Sequence, residues 1–456
     1  MTTWQQILPT LLENLDLKGA AIDRRRVTWG TTAYLVPAFD RSALQFSLPV
    51  LIPRILTDEL PLDPRGVDGA VACLIEQCKT KARNQPDPGL DPLTGKGTQF
   101  PQRYQAITEP YSLIHSPALI GEGLWKAGSQ NYADADGIHL TLTGALRYGL
   151  PDEPGEQRRV VEELAALIQG VAGAVDRVPL RLLEREWINA LDQRLLRDQL
   201  PALGLVSFIG DGTRPARQCT DARCFFRVAG IKAGVHVPFT CPPKLGPVEV
   251  ELPASHQVIA GLGVREREVL AIIGSNGQGK STMLQAVIAG VDDHQLGDGR
   301  EHVITRTEPA IAEAGSTELR GTDLSLFFRA LPPGMSGTPE AAFGQGSGSM
   351  GMASQIQQAI AGEAPLLVFD EDRSAANLLV PGCLSGSKVR VLSTLLAEER
   401  ELLGVTALVF TAGTLDILVA QADRILVLDG HQATAIERAA YRKRLKDYLS
   451  MVLETL

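Results

Sequence analysis

A chain of 456 residues is long enough for two or three domains and a substantial buried core. Its hydrophobic fraction of 44% and charged fraction of 21% are ordinary for a globular protein, and a net charge of −9 excludes a uniformly basic nucleic-acid binder while leaving room for a local basic groove. No apolar run is long enough to span a bilayer, so no membrane segment is expected and the cytoplasm is the expected location.

At the N-terminus, Met1, Thr2, Thr3 and Trp4 lack the positive start of a signal peptide, and Glu13 and Asp16 follow soon after. Ile7, Leu8, Leu11, Leu12 and Leu15 recur at helical spacing and predict a short amphipathic helix over 4–16. Residues 84–110 are rich in Pro, Gly and Gln and read as loop or linker. Val160, Val161, Leu164, Leu167 and Ile168 predict a helix over 156–172. Leu182, Leu183, Trp187, Leu191, Leu195 and Leu196 predict a second over 180–200, and both read as packing helices. The six cysteines include two C-x4-C pairs, Cys73 with Cys78 and Cys219 with Cys224. Zinc sites use tighter pairs with His or Cys partners at fixed spacing, so these read as reduced thiols.

The texture then changes. Residues 205–209 predict a short strand, 248–252 alternate as a half-exposed strand does, and 269–273 form the unbroken apolar run of a buried central strand. Strand-like and helix-like stretches alternate from there to about residue 430, the pattern of an α/β domain following a separate N-terminal region.

The loop after residue 273 carries the chemistry. Gly274, Ser275, Asn276, Gly277, Gln278, Gly279, Lys280 and Ser281 fit the phosphate-binding pattern G-x4-G-K-S. Backbone N–H groups must wrap the phosphates, so glycines stand where a Cβ would clash or φ is positive. Lys280 brings a point charge to the β- and γ-phosphates, the Ser281 hydroxyl is a ligand for Mg²⁺, and Thr282 opens a helix whose N-terminus faces the anion. Mg-ATP is the expected ligand. Residues 366–369 form an apolar strand ending in Asp370 and Glu371. The first acid is expected to hold Mg²⁺ through its water shell and the second to polarise the attacking water. Ser347, Gly348 and Ser349 precede a helix-like stretch over 352–361, upstream of Asp370 at the separation that the signature of ABC ATPases keeps. A hydroxyl and a glycine at a helix N-terminus can meet the γ-phosphate of ATP held by another subunit, so a homodimer is the expected assembly.

With these segments in place the chain resembles the predicted ATPases of the ABC class, a soluble family that includes a mitochondrial RNA-editing-associated protein. The resemblance runs from about residue 200 to 440. It rests on the segments 204–212, 261–264, Gly297-Asp298-Gly299-Arg300-Glu301, 346–349 and Asp370-Glu371-Asp372-Arg373-Ser374-Ala375-Ala376-Asn377. It implies an α/β fold, an ABC-type P-loop ATPase core with a separate N-terminal α+β region. The expected divisions are an N-terminal domain over 1–200, an ATPase domain over 201–440 and a basic C-terminal tail over 441–456. Longer members of the family carry a further C-terminal domain, whereas this chain ends at Leu456. The histidine that many ABC ATPases place after the fourth core strand is absent, because Ala412, Gly413 and Thr414 follow the strand 408–411. That absence leaves Glu371 without its usual γ-phosphate partner and implies slow turnover. Asp423 and Asp429, which bracket the strand 424–428, read as structural.

The expected function is an ATPase that works as a clamp or regulator on RNA, and the RNA comes from the resemblance more than from the residues. Candidate basic patches are Arg24, Arg25 and Arg26, then Lys79, Lys81 and Arg83, and finally Arg442, Lys443, Arg444 and Lys446. Tyr104, Tyr111, Trp125 and Tyr132, with Arg103 and Lys126, could stack bases, although packing is the commoner use of such residues. An ATP-gated regulator or scaffold acting on a protein partner is the alternative. A transporter subunit is disfavoured by the long N-terminal region and by the lack of an ABC-type Gln loop between Lys280 and the signature.

Overall fold

Leu44, Phe46, Leu48, Val50 and Ile52 recur at every second position, the period of a strand with one face in a core. In the computed structural model this stretch is strand β3 (Leu44–Ile52) of a five-stranded antiparallel sheet. The structure describes residues 27–28, 32–38, 42–84, 88–99, 125, 127–147, 154–219, 226–228, 237–383 and 388–455. The chain divides into two compact units, one holding residues up to 194 with 217–228 and 293–296, the other holding the rest.

In the first unit the sheet order is β1 (Val27–Thr28), β2 (Thr32–Pro37), β3, β5 (Gly137–Leu146) and β4 (Tyr132–Asp134). The apolar side chains of β3 and β5 share one core with the helices α1 (Val67–Asn84) and α2 (Pro154–Asp176) and with Leu183 and Trp187 of α3 (Leu180–Gln199). The Trp187 indole is fully buried and donates to the Asp63 carbonyl at 2.7 Å, which satisfies its one polar atom. A side chain on Gly69 would begin 2.2 Å from the Glu186 carbonyl, so glycine is what lets α1 approach α3 this closely. Within the expected loop over 84–110, Asp91–Thr94 makes a single helical turn. The expected helix over 4–16, the Arg24–Arg26 run, and Arg103, Tyr104, Tyr111, Lys126 and Cys224 lie outside the described residues.

One other expectation changes, and the aromatics take the packing role that was the commoner expectation. Lys79 is buried, 5% exposed, and pairs with Glu76 at 3.5 Å, so it belongs to no surface patch. Trp125 is buried and donates to Asn131 Oδ1 at 3.0 Å, while Tyr132 stacks on His139 with centroids 4.3 Å apart, so neither is a vacant stacking platform. Cys73 and Cys78 sit in the core on α1. Among the described residues no helix is long and apolar enough to cross a membrane.

The second unit is built on a six-stranded sheet. Its order is β13 (Ala310–Ile311), β17 (Leu366–Phe369), β18 (Ala407–Ala412), β11 (Val269–Ile273), β19 (Arg424–Asp429) and β20 (Gln432–Ile436). All neighbours are parallel except β19 and β20. Strands β17, β18 and β11 are apolar except for Thr411, because both faces are covered. Val269, Ala271, Leu367, Phe369, Leu408 and Phe410 face one core with α5 (Gly348–Ala361) and α6 (Leu392–Glu398). Leu270, Ile272, Leu366, Val368, Ala407 and Val409 face the other with α4 (Lys280–Ala289). Burying each such large side chain contributes about 1.5–3 kcal/mol.

A four-stranded antiparallel sheet runs β12 (Val303–Thr305), β6 (Leu205–Gly210), β10 (Val258–Arg265) and β9 (Val248–Glu251). Between α4 and α5 the chain also forms a small antiparallel sheet of β14 (Thr317–Thr322), β16 (Ala341–Gly346) and β15 (Ser336–Thr338), where strand-like and helix-like stretches were expected to alternate. Residues 438–455 form a helix, α7 (Arg438–Thr455), with no buried residue.

Candidate nucleotide-binding site

Parallel register puts three strand ends at one edge of the six-stranded sheet. Ile273 pairs with Ala412, and Phe369 pairs with Phe410. The segments that leave these strands, 274–281, 370–371 and 413–414, therefore emerge side by side, where open parallel sheets bind ligands.

The loop after β11 has the backbone that wrapping an anion requires. Gly274, Gly277 and Gly279 have φ of 153°, 76° and 95°. A Cβ on Gly274 would stand 2.3 Å from the Leu428 carbonyl, whereas one on Gly277 would meet nothing within 4 Å, which leaves that side of the loop open. Gly279 is the N-cap of α4, and no side chain caps the helix, so its first N–H groups are left for a ligand. Lys280 Nζ donates to the carbonyls of Gly274 at 2.7 Å and Ser275 at 3.1 Å and so curls over its own loop. Gln278 Oε1 accepts from Gly430 N at 2.6 Å, which braces the loop against the β19–β20 turn. Asn276, Ser281 and Thr282 complete the stretch, and Ser281 and Thr282 lie in the first turn of α4. Open glycine backbone, an uncapped helix start, an ammonium and a hydroxyl fit a magnesium-bound triphosphate.

Strand β18 holds both acids. Thr411, fully buried, donates its hydroxyl to Asp370 Oδ1 at 2.7 Å and accepts from Glu371 N at 3.1 Å. Beyond the strand, Gly413 N donates to Glu371 Oε2, and Thr414 donates to Oε1 through its hydroxyl and, at 3.1 Å, through its amide. The point where a Gly413 Cβ would stand is 3.4 Å from Glu371 Oε2 and 3.6 Å from Lys280 Nζ. Carboxylate and ammonium thus border one small space. Thr411, Gly413 and Thr414 carry no motif of their own, and only the strand pairing reveals their part in the site.

The signature residues stand elsewhere on the same unit. Ser347 is the N-cap of α5, its hydroxyl is 3.0 Å from that of Ser349, and a Cβ on Gly348 would touch Ala314 at 3.5 Å. Among the described residues, none of the three shares a hydrogen bond with 274–281.

Other family-like segments are structural. Arg300 is fully buried and donates to the Pro215 carbonyl at 2.7 Å, while Arg214 N donates to Gly299 O at 2.6 Å. Glu301 accepts from the amides of Gly297 at 3.2 Å and Gly299 at 2.5 Å. The segment 297–301 thereby clamps the turn that follows β6. Asp423 accepts from Val269 N at 3.0 Å and from Arg400 at 2.9 Å, which fixes the start of β11. Tyr441 of α7 donates to Asp416, and partial desolvation together with that carboxylate pushes its phenol well above the usual range.

A family model for ABC_ATPase, described as a P-loop domain, matches residues 180–451. An uncharacterized protein of Methanocaldococcus jannaschii is 38% identical over 385 residues, which span 84% of this chain and 83% of that protein. Among solved structures, cbiO1 of Clostridium perfringens, part of the ABC transporter complex cbiONQ, is 14% identical with a TM-score of 0.28, covering 50% of this chain and 87% of that one. A bacterial Atm1-family ABC exporter with ATP bound is 14% identical with a TM-score of 0.30, covering 66% and 52%. The extent of the family match and the identity to the archaeal protein show that this chain belongs to the ABC_ATPase family of P-loop proteins.

Proposed function

We propose that this chain binds Mg-ATP in the loop 274–281 and hydrolyses it slowly at the interface of a homodimer, as an ATP-dependent clamp or regulator acting on RNA. The observation that carries the ATPase reading is the convergence of Lys280 and Glu371 on the space beside Gly413. Backbone N–H groups of the loop and the start of α4 bind the phosphates, and Lys280 neutralises the β- and γ-phosphate oxygens. Ser281 and Asp370 would hold Mg²⁺, which when bound supplies further neutralisation between those phosphates. Glu371 orients the attacking water and takes its proton. Turnover is slow because Gly413 and Thr414, rather than an imidazole, stand beside Glu371.

Ser347 and Gly348 sit at the open N-terminus of a second helix and make no hydrogen bond to their own phosphate loop. A head-to-tail pair with two-fold symmetry would bring them to a partner's γ-phosphate and make two equivalent sites. The test is light scattering of Glu371→Gln with and without ATP. Mass should double with ATP, and adding Ser347→Arg should abolish the rise. No rise, or a rise that survives Ser347→Arg, refutes the shared site.

The RNA part of the reading is supported by the resemblance and by exposed Lys443, Arg444 and Lys446 on α7. The protein-partner alternative is favoured by Met451 and Leu453 on the same helix, 55% and 72% exposed. RNA affinity that falls steeply with salt supports the first, and no RNA affinity at low salt supports the second.

A further inference from the structure

Glu371 meets more donors than a side chain leaving a strand end ordinarily finds. Oε1 accepts from both the amide and the hydroxyl of Thr414, the amide at 3.1 Å. Oε2 accepts from Gly413 N, with Thr414 N farther off at 3.3 Å. A carboxylate offers about four lone-pair positions, two on each oxygen. The Thr414 amide is shared between the two oxygens, so Oε1 holds the hydroxyl and the shorter branch of that bond, while Oε2 holds Gly413 N and the longer branch and is the less engaged of the two. The region beside Oε2 is the one that Lys280 also borders, since both lie within 3.6 Å of the point where a Gly413 side chain would begin.

The arrangement has a direction. A glutamate has three rotatable bonds, and a half-exposed one wanders among rotamers unless donors hold it. Donors to an ionised acceptor are the strong kind. Two of the three here are main-chain amides, set by the backbone beyond β18, and the third is the Thr414 hydroxyl. Asp370 is held separately, by Thr411 at 2.7 Å, so the two acids do not share a donor hydroxyl.

We propose that Thr414 is the positioning residue of the hydrolytic step: its hydroxyl and amide hold Oε1 of Glu371 and so turn the less engaged Oε2 toward the gap beside Lys280. The water that attacks the γ-phosphate gives its proton to Oε2, and the bond to the β–γ bridging oxygen breaks as the new P–O bond forms. The inference rests on reading Glu371 as the group that polarises this water.

Thr414→Val keeps the volume and both amides and removes only the hydroxyl, and Thr414→Ser restores it. With full-length protein and Mg-ATP, Thr414→Val should lower kcat about tenfold, equal to about 1.4 kcal/mol of barrier, with KM within about twofold. Thr414→Ser should recover most of the rate. In a Glu371→Gln background the valine change should have no further effect, because its action passes through the carboxylate. Should the valine variant fail to fold by circular dichroism, Thr414→Ala takes its place with the same readouts. An unchanged kcat, or a loss that adds in full to that of Glu371→Gln, overturns the positioning role. If Glu371→Gln alone leaves kcat unchanged, it is the assignment of the base that fails.

Discussion

Replacing Lys280 with alanine should weaken ATP binding on the order of 100-fold, and the size follows from what the ammonium already holds. Nζ donates to two carbonyls of its own loop, at 2.7 and 3.1 Å. Binding exchanges these neutral acceptors for ionised phosphate oxygens, so the gain is the difference between charged and half-charged pairs rather than the full strength of the new ones. A bond to one ionised partner contributes about 1.5–3 kcal/mol, and a pair of unit charges 4 Å apart at a protein surface interacts by about 4 kcal/mol. Subtracting what the carbonyls gave leaves about 3 kcal/mol, on the order of 100-fold in Kd. Calorimetry with Mg-ATP measures this directly. ADP should lose less, because the γ-phosphate interaction is absent from both proteins. Lys280 is only partly buried, so far-ultraviolet circular dichroism should be unchanged. An ATP affinity within threefold of wild type would refute the reasoning.

Gly413→Ala puts a methyl group 3.4 Å from Glu371 Oε2 and 3.6 Å from Lys280 Nζ, in ordinary contact with both. The fold should survive, and hydrolysis should fall at least tenfold because the methyl occupies the water's place; a wild-type rate would show that the water sits elsewhere. Burial pushes the thiols of Cys73 and Cys78 to about 12 and that of Cys241 to about 11, whereas Cys383 is exposed. At pH 8 only about one in 10⁴ of the first two would be thiolate even with free access, so iodoacetamide should modify Cys383 and spare the other three until the chain is unfolded. Peptide mass spectrometry would expose the error if Cys73 or Cys78 reacts early.

Short-range patterns were the readable part of this site. The glycines of 274–279 and the apolar run into Asp370 announce their geometry because each depends on neighbours in sequence, and β11 begins and ends where its apolar run does. The donors to Glu371 were hidden, since they follow from the alignment of Phe369 with Phe410, and no local feature of Gly413 or Thr414 encodes that. The first unit was harder to read for the same reason: Leu44 pairs with Leu146, and a partner so distant cannot be inferred from either stretch alone. Lys79 is a different case. It follows Ile75 by four positions and precedes Ala82 by three, both buried, so helical periodicity placed it on the inner stripe although its charge suggested the surface.

The place of β11 in its sheet bears on how the protein is made. Its two neighbours are β18 and β19, both supplied by chain far downstream, with Ile273 pairing Ala412 on one side and Val427 on the other. At ribosomal rates of about 5–20 residues per second, about 8–30 s separate the synthesis of Ile273 from that of Val427. Until β18 is made the strand feeding the phosphate loop has two unpaired edges, and until β19 is made it keeps one, the feature that invites pairing with the wrong chain. For much of that interval ATP cannot protect the nascent chain, because Asp370 and Glu371, which would complete its site, are still unmade. The yield of the second unit should therefore respond to translation speed more than to nucleotide supply.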